Sequence, residues 1–331
     1  MRVLIADKFE EAGIESLRRA GHEVRIDPDL SPETLPGAIA DFAPEVLVVR
    51  STKVPGDVIR GAHGLRAIIR AGAGYDNIDC VAAGEAGIPV ANCPGMNAVA
   101  VAELAMGLLI CCDRRIPDQC EQLRTGRWNK QEFARARGLK GRTLGIVGVG
   151  AIGEAMIRRA RAFEMDICAW SKHMDDERAA SLGVTNCGES RAELLEMLGR
   201  CDAVSVHIAL NDETRGMCDR EFFEHMRDGA YFINTSRGAV VDEDALAWAV
   251  RDKGIRAGLD VYCDQPSTKQ CEWTTRLAQL PGVYTTHHCG ASTDQAQLAV
   301  AEETVRLIDG LARTGRLENC VNESQLASPA G

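Results

Sequence analysis

The sequence predicts an α/β protein with two doubly wound parallel sheets, and three observations carry that expectation. Short apolar runs alternate with amphipathic helical segments along most of the chain, the pattern of parallel strands joined by helical crossovers. At 331 residues the chain exceeds what one ordinary hydrophobic core takes up, so two domains are expected. A glycine-rich turn at 148–153 joins a strand-like run to a helix-like one, and a long apolar helical stretch separates it from an earlier α/β unit.

In chain order, Val3–Ala6 reads as a strand, Glu10–Arg19 as a helix ending at Gly21, and Glu23–Ile26 as a strand. Ser31–Asp41 is expected to be a helix, with Ser31 as N-cap and Pro32 at its first position. The strand Val46–Val49 leads into Arg50-Ser51-Thr52-Lys53, then a short helix at Gly56–Gly61 precedes the strand Ala67–Ile69 and Arg70-Ala71-Gly72-Ala73-Gly74. Both polar clusters follow strands, where open α/β sheets bind ligands. Their basic residues either face solvent or bind an anionic substrate. Asn97–Gln122 is the longest helical candidate, crowded with Val101, Leu104, Ala105, Leu108 and Leu109. Being apolar around much of its circumference, it must be widely buried, between domains or between subunits. Pro117 should kink or break it, and it forms the crossover to the second domain. After the glycine turn, strands at Asp166–Trp170, Ala203–His207, Ala230–Ile233, Ala257–Leu259 and Val283–Thr285 alternate with helices at Arg191–Leu198, Asp219–Met226 and Glu243–Asp252. Ala291–Leu311 is a long last helix, and Ser324–Gly331 reads as a frayed tail.

Composition excludes several classes. A hydrophobic share of 45% and a charged share of 26% are those of a soluble globular protein. A net charge of −10 and the absence of a Lys/Arg run argue against a nucleic-acid surface. No signal peptide and no apolar run of membrane length is found, so the expected location is the cytoplasm, without membrane association. The thirteen cysteines are scattered and never form C-x-x-C. They read as small, buried, reduced apolar residues. Neither they nor the seven histidines are spaced as a metal site.

The chemistry begins at the G-x-G-x-x-G of the turn, Gly148-Val149-Gly150-Ala151-Ile152-Gly153. Gly148 makes the turn, Gly150 lets a pyrophosphate approach the backbone, and Gly153 lets helix and strand pack. The N–H groups of the helix start, with Ala151 and Ile152, face the anion. This predicts a Rossmann-like dinucleotide site for NAD or NADP. About twenty residues on, such folds place an acid on the ribose, but this chain has Ser171 and Lys172 there. Two readings stay open: the pair admits a 2′-phosphate, or it is a solvated turn in an NAD enzyme. Three further clusters follow strands: Asn234-Thr235-Ser236-Arg237-Gly238, Leu259-Asp260 through Gln265-Pro266, and Thr286-His287-His288-Cys289-Gly290. Arg237 can clamp a carboxylate and polarise a carbonyl. A histidine there can exchange a hydroxyl proton while hydride moves to nicotinamide.

Long stretches carry a resemblance: Val48–Val54 (VVRSTKV), Arg70–Asp79 (RAGAGYDNID), Cys93–Leu109 (CPGMNAVAVAELAMGLL), the glycine turn, Asn234–Asp242 (NTSRGAVVD) and Gly290–Gln297 (GASTDQAQ). The chain resembles the D-2-hydroxyacid dehydrogenase family, most closely the catalytic body of its phosphoglycerate dehydrogenase branch. The resemblance implies a discontinuous substrate domain, residues 1–97 and 290–331, flanking an inserted dinucleotide-binding domain, residues 98–289. It also implies a homodimer built on the helix after Asn97. By the family pattern Arg237 orients the substrate, His288 is the acid/base, and Asp260 lies near the nicotinamide. His207, Thr235, Ser236 and Gly290 fall with the cofactor. Arg50, Ser51 and Arg70 would meet the substrate, and the Arg70–Gly74 loop, through Ala73 and Gly74, would offer N–H groups to its carboxylate. The chain departs where the family's catalytic Glu falls on Gln265, and the Arg50–Lys53 loop is one residue shorter than in phosphoglycerate dehydrogenases. These departures point away from 3-phosphoglycerate. The implied activity is hydride transfer between nicotinamide and a small anionic 2-hydroxy acid or a phosphorylated or phosphonate analogue. The Gln–His pair also admits a formate-like or aldehyde-hydrate dehydrogenase, and a non-catalytic dinucleotide sensor is the alternative from another class.

Overall fold

The computed structural model describes residues 1–172, 174–266 and 270–326. The chain divides into two compact units, Met1–Asn97 with the chain from Ser292 onward, and Ala98–Ala291. The division falls two residues beyond the boundary expected at Gly290, whose N–H is held by Asp260 at 2.9 Å within the second unit.

In the first unit five strands run parallel: β1 (Arg2–Ile5), β2 (Glu23–Ile26), β3 (Val46–Val49), β4 (Ala67–Arg70) and β5 (Val90–Asn92), ordered β2-β1-β3-β4-β5. Alternation along the strands covers both faces. Leu4, Leu47, Val49 and Ile68 enter one core, while Val3, Ile5, Val46, Val48 and Ile69 enter the other. The last helix, Asp294–Thr314, closes the second of these, burying Leu307, Ile308 and Leu311. Thr293 caps it, accepting from the Ala296 N–H at 3.2 Å.

The second unit has seven parallel strands: β6 (Thr143–Val147), β7 (Asp166–Trp170), β8 (Thr185–Asn186), β9 (Ala203–Val206), β10 (Tyr231–Asn234), β11 (Arg256–Leu259) and β12 (Val283–Thr285). Their order is β12-β11-β10-β9-β6-β7-β8. The winding reverses between β6 and β9, the place where such sheets open a crevice beyond the strand ends. The helix Ala98–Arg114 buries Val101, Ala105, Leu108, Leu109 and Cys112 in this unit. It breaks at Arg115, which takes a left-handed φ of 53°, and Pro117 sits in the first turn of the next helix, Ile116–Arg124. Among the described residues no helix is long and apolar enough to cross a membrane.

The fold corrects some expectations. The helix expected at Ser31–Asp41 is Leu35–Phe42, with Thr34 at the N-cap position and proline in its first turn. Ser31 instead forms a preceding turn, its N–H donating to Thr34 Oγ1 at 2.9 Å and its carbonyl accepting from Leu35. Strands β5 and β8 were not expected; they have three and two residues, too few for an alternation to register. Of the expected tail, Ser324 and Gln325 lie in a short 3-10 turn, Glu323–Gln325, and residues 327–331 lie outside the described residues. The cysteines are all free, but Cys120, Cys263, Cys271 and Cys289 are exposed rather than buried.

Candidate active site

The three glycines of the turn differ in what they are for. Gly148 has φ 94°, and a Cβ there would stand 2.7 Å from Ile208 and 2.9 Å from the His207 carbonyl. A Cβ on Gly153 would stand 2.2 Å from the Gly148 carbonyl, so its absence lets the helix Ala151–Ala162 close onto the turn. Gly150 has an ordinary φ of −88°, and a Cβ there meets nothing within 4 Å. Neither backbone conformation nor packing within the chain requires glycine at 150. The space in front of it is open, at a helix start with no side-chain cap, which is what an approaching pyrophosphate needs. Two orphaned buried atoms at neighbouring strand ends, His207 Nδ1 and Thr235 Oγ1, also fit a cofactor that would supply their partners. Burial pushes the His207 imidazole down to about 4, so the ring is neutral, with Nε2 2.9 Å from Ser205 Oγ.

At the end of β7, Ser171 Oγ accepts from the Val149 N–H at 3.3 Å and braces the glycine turn. Lys172 is paired with Glu213. A carboxylate from another stretch of chain thus stands beside Lys172. Arg178, also unforeseen, donates to the Val149 carbonyl at 2.9 Å and to Glu154 at 2.8 Å.

Beyond β10 the buried Asn234 shapes its own loop. Its Oδ1 accepts from the Ser236 N–H and Oγ at 3.0 and 2.7 Å, and its Nδ2 donates to the Arg237 carbonyl at 2.9 Å. Ser236 is thereby committed to the loop. Arg237 Nη1 donates to the Ser236 carbonyl at 2.8 Å. Gly238 rests on the backbone of Tyr262 and Cys263, where a Cβ would stand 2.0 Å from a carbonyl carbon.

Gln265 joins that same backbone to the histidine. The Tyr262 N–H donates to Gln265 Oε1 at 3.2 Å, and Gln265 Nε2 lies 2.6 Å from His288 Nδ1. A backbone N–H can only donate, so it fixes the amide with its oxygen toward Tyr262 and its NH₂ toward the ring. His288 Nδ1 then accepts, and the neutral ring carries its proton on Nε2. His288 itself sits at φ 51°, a left-handed conformation costly for a residue with a Cβ. Asp260 holds the loop in that shape. Its Oδ1 accepts from Thr286 Oγ1 at 2.5 Å and the Cys289 N–H at 2.9 Å, and its Oδ2 accepts from the Gly290 N–H at 2.9 Å. Asp260 and Gly290, expected beside the cofactor, thus act within this unit as supports of the His288 loop.

The first unit positions its own residues. Asp7, two residues past β1, is buried and takes the N–H groups of Arg50, Ser51 and Thr52 at 2.6, 3.1 and 3.1 Å. The Ser51 hydroxyl donates to the same carboxylate at 2.7 Å, which engages its proton within the chain. Arg50 Nη1 donates to Gln297 at 2.8 Å. After β4, Gly72 (φ 149°) leaves room for the Arg70 guanidinium, which a Cβ would strike at 1.6 Å. The Asn92 amide holds the Ala73 carbonyl at 2.6 Å, and the Cys93 N–H holds the Gly72 carbonyl at 2.9 Å. These two bonds fix the carbonyl side of the Gly72-Ala73 stretch. Asp7, Asn92 and Gln297 were missed; Asp7, an acid directly beyond a strand, carried a signal that the strand-end rule could have caught.

A doubly wound unit with an open glycine turn and orphaned polar atoms at strand ends, with Arg237 beyond β10 and His288 beyond β12 on either side of β11, defines a dinucleotide-binding fold. The comparisons narrow that class. Residues 106–290 match the NAD binding domain of the D-isomer specific 2-hydroxyacid dehydrogenases, and the chain belongs to that family. It is 36% identical to a D-3-phosphoglycerate dehydrogenase of Archaeoglobus fulgidus over 328 residues, 97% of this chain and 59% of that protein. The chain thus spans little more than half the length of that relative. It is 40% identical to a hydroxypyruvate reductase of Thermotoga maritima over 266 residues, 80% of this chain and 83% of that protein. A glyoxylate reductase structure from Paecilomyes thermophila superposes with a TM-score of 0.85 at 27% identity, over 98% of this chain and 99% of that one.

Proposed function

We propose that this protein reduces a small, unphosphorylated 2-keto acid to the D-2-hydroxy acid with a nicotinamide dinucleotide, NAD(H) in preference to NADP(H). The bound nicotinamide supplies or takes up the hydride. Arg237 holds the carboxylate by its planar fork. The His288 Nε2–H donates to the keto oxygen and to the charge that builds there as C2 is reduced. Gln265 keeps that N–H on the substrate side, and Asp260 keeps the loop in place. Two further observations bear on the choice of acid. The Arg50 loop spends its N–H groups and Ser51 on Asp7, leaving fewer donors for a phosphate. The hydroxypyruvate reductase is matched along most of its length. The observation that carries the reading is the Tyr262–Gln265–His288 chain of hydrogen bonds, because it supports a ring whose proton sits on Nε2, the donor that reduction of a carbonyl needs. Neither a formate-type reaction nor a sensing role is favoured, since the relatives matched over most of the chain are named as dehydrogenases and reductases of hydroxy or keto acids. A homodimer is the proposed assembly, supported by exposed Val99, Ile116 and Leu123 on the helices after Asn97.

The test follows loss of reduced nicotinamide with NADH and, in turn, glyoxylate, hydroxypyruvate, phosphohydroxypyruvate and a 2-keto acid with a long apolar chain. Turnover of the small unphosphorylated acids is expected. Turnover of phosphohydroxypyruvate alone, or of none, overturns the proposal.

A further inference from the structure

We propose that Cys168 and Cys187 form a thiol–disulfide exchange site, which reacts with small disulfides and closes an intrachain disulfide at the edge of the seven-stranded sheet. Three sulfurs meet there. Cys168 on β7 lies opposite Thr185 of β8, so Cys187, two residues beyond Thr185, points to the same face one step along. The Cys187 N–H donates to the Ala169 carbonyl at 2.8 Å and keeps the two strands in register. On the other side Cys168 lies opposite Gly145 of β6. Gly145 makes room by lacking a side chain, since a Cβ there would stand 2.8 Å from Cys201 Sγ. Through that gap the Cys168 thiol interacts with Cys201, as it does with Cys187. All three cysteines are free; Cys201 is buried, whereas Cys168 and Cys187 are half-buried. Cys187 also lines a surface cavity with Asn186, Gly188, Glu193, Glu196 and Arg200.

The cluster favours an anionic sulfur. Its neighbours Cys187 and then Cys201 hold the Cys168 thiol below the usual range, with Arg200 adding to this, while Cys168 and burial push the Cys187 thiol up, its S–H donating to the Thr185 carbonyl at 3.7 Å. The anion therefore rests on Cys168, and a proton passed from Cys187 to Cys168 moves it, uphill, to the sulfur that lines the cavity near Arg200. The Cys187 thiolate attacks one sulfur of a small disulfide RSSR; the S–S bond breaks, and one RS⁻ leaves and takes a proton from water. Cys168 then gives up its proton and attacks the Cys187 sulfur. The Cys168–Cys187 bond forms, and the second RS⁻ leaves with that proton. In sum two protein thiols are oxidised and RSSR is reduced to two RSH. Closing the bond asks Cys187 to move inward. The two-residue edge strand β8 permits this where a strand paired on both sides would not.

The experiment incubates the folded, reduced protein with oxidised glutathione, blocks the remaining thiols by alkylation and maps peptides by mass. A Cys168–Cys187 linked peptide is expected, lighter by two hydrogen atoms, reversed by dithiothreitol, lost in Cys187→Ser and retained in Cys201→Ser. The proposal is overturned if Cys168 and Cys187 stay open to alkylation while exposed Cys120, Cys263, Cys271 or Cys289 carry glutathione. It is overturned equally by a Cys168–Cys201 link with Cys187 free, or by a link that forms only in urea.

Discussion

The two sheets reverse their winding in the same way and use the place differently. In the first unit, beyond β1 and β3, three backbone N–H groups converge on the carboxylate of Asp7; the chain supplies its own anion. In the second, beyond β6 and β9, the helix start at Gly150 faces open space and has no side-chain cap. One topology therefore yields a structural clamp or a ligand site, depending on whether a carboxylate or a glycine stands at the strand end. The anion that satisfies exposed N–H groups can be built in or left to be bound.

The strongest way to break this comparison is to fill the open place. Gly150→Val should lower dinucleotide affinity by more than about a hundredfold, roughly 3 kcal/mol, because the side chain would occupy the pyrophosphate's position. The variant should keep its fold, since φ at 150 suits any residue and a Cβ there touches nothing in the protein. Calorimetry with NADH checks the first expectation and far-UV circular dichroism the second. Unchanged affinity in the folded variant would make both reversals structural.

The reciprocal change empties the filled place. Asp7→Ala should destabilise the first unit by about 2–3 kcal/mol, the cost of leaving buried donors without their acceptor, read from urea unfolding. NADH affinity should hold, as the open glycine turn belongs to the other unit. A stability loss below about 0.5 kcal/mol would mean that the three N–H groups do not depend on Asp7.

What the sequence disclosed and what it hid divide along the same line. The glycine turn, the β/α alternation and the strand-end positions of Arg237 and His288 are local patterns, set by residues close together in the chain. Asp7 with Arg50, Lys172 with Glu213, and the Asn92 clamp on Ala73 join residues that only the sheet order brings together. The direction of the Gln265 amide was hidden for a different reason. A side chain can be read from sequence, but the single backbone N–H of Tyr262 that orients it cannot. At Ser31 the pattern misled because a cap residue followed by proline occurs twice. The later copy at Thr34, with proline in the following helical turn, opens the helix.

Gln265 extends the comparison to charge at the proposed catalytic pair, where an amide rather than a carboxylate faces His288. With the amide oxygen fixed on Tyr262, adding a proton to His288 Nδ1 sets two donors against each other. Gln265→Glu gives Tyr262 one acceptor oxygen and His288 the other, which favours the imidazolium. The limb on which reduction is lost as pH rises should then move upward by about one unit in kcat/KM. A profile that does not move would remove Gln265 from the proton-transfer assignment.

The smallest effect expected is at the end of β7, where the comparison takes an intermediate form. Family folds usually place the ribose-binding acid directly after this strand; here Ser171 is turned to the glycine turn and Lys172 is paired with Glu213. A carboxylate borrowed from residue 213 does two things at once. It occupies Lys172, the cation in the expected position of a 2′-phosphate among the described residues, and it adds a negative charge that the phosphate must approach. Both act against NADP(H). The pair is exposed, and water and salt screen it, so the discrimination it adds is modest. Glu213→Gln frees Lys172 and removes the repulsion; the ratio of NADPH to NADH affinity should rise about fivefold, with NADH itself little changed. The gain should shrink as ionic strength increases, which separates a charge effect from a change of loop shape. Lys172→Ala in the same background should cancel it. If NADPH gains nothing from Glu213→Gln at low salt, cofactor choice at this site rests on the backbone shape after Trp170 and not on the borrowed carboxylate.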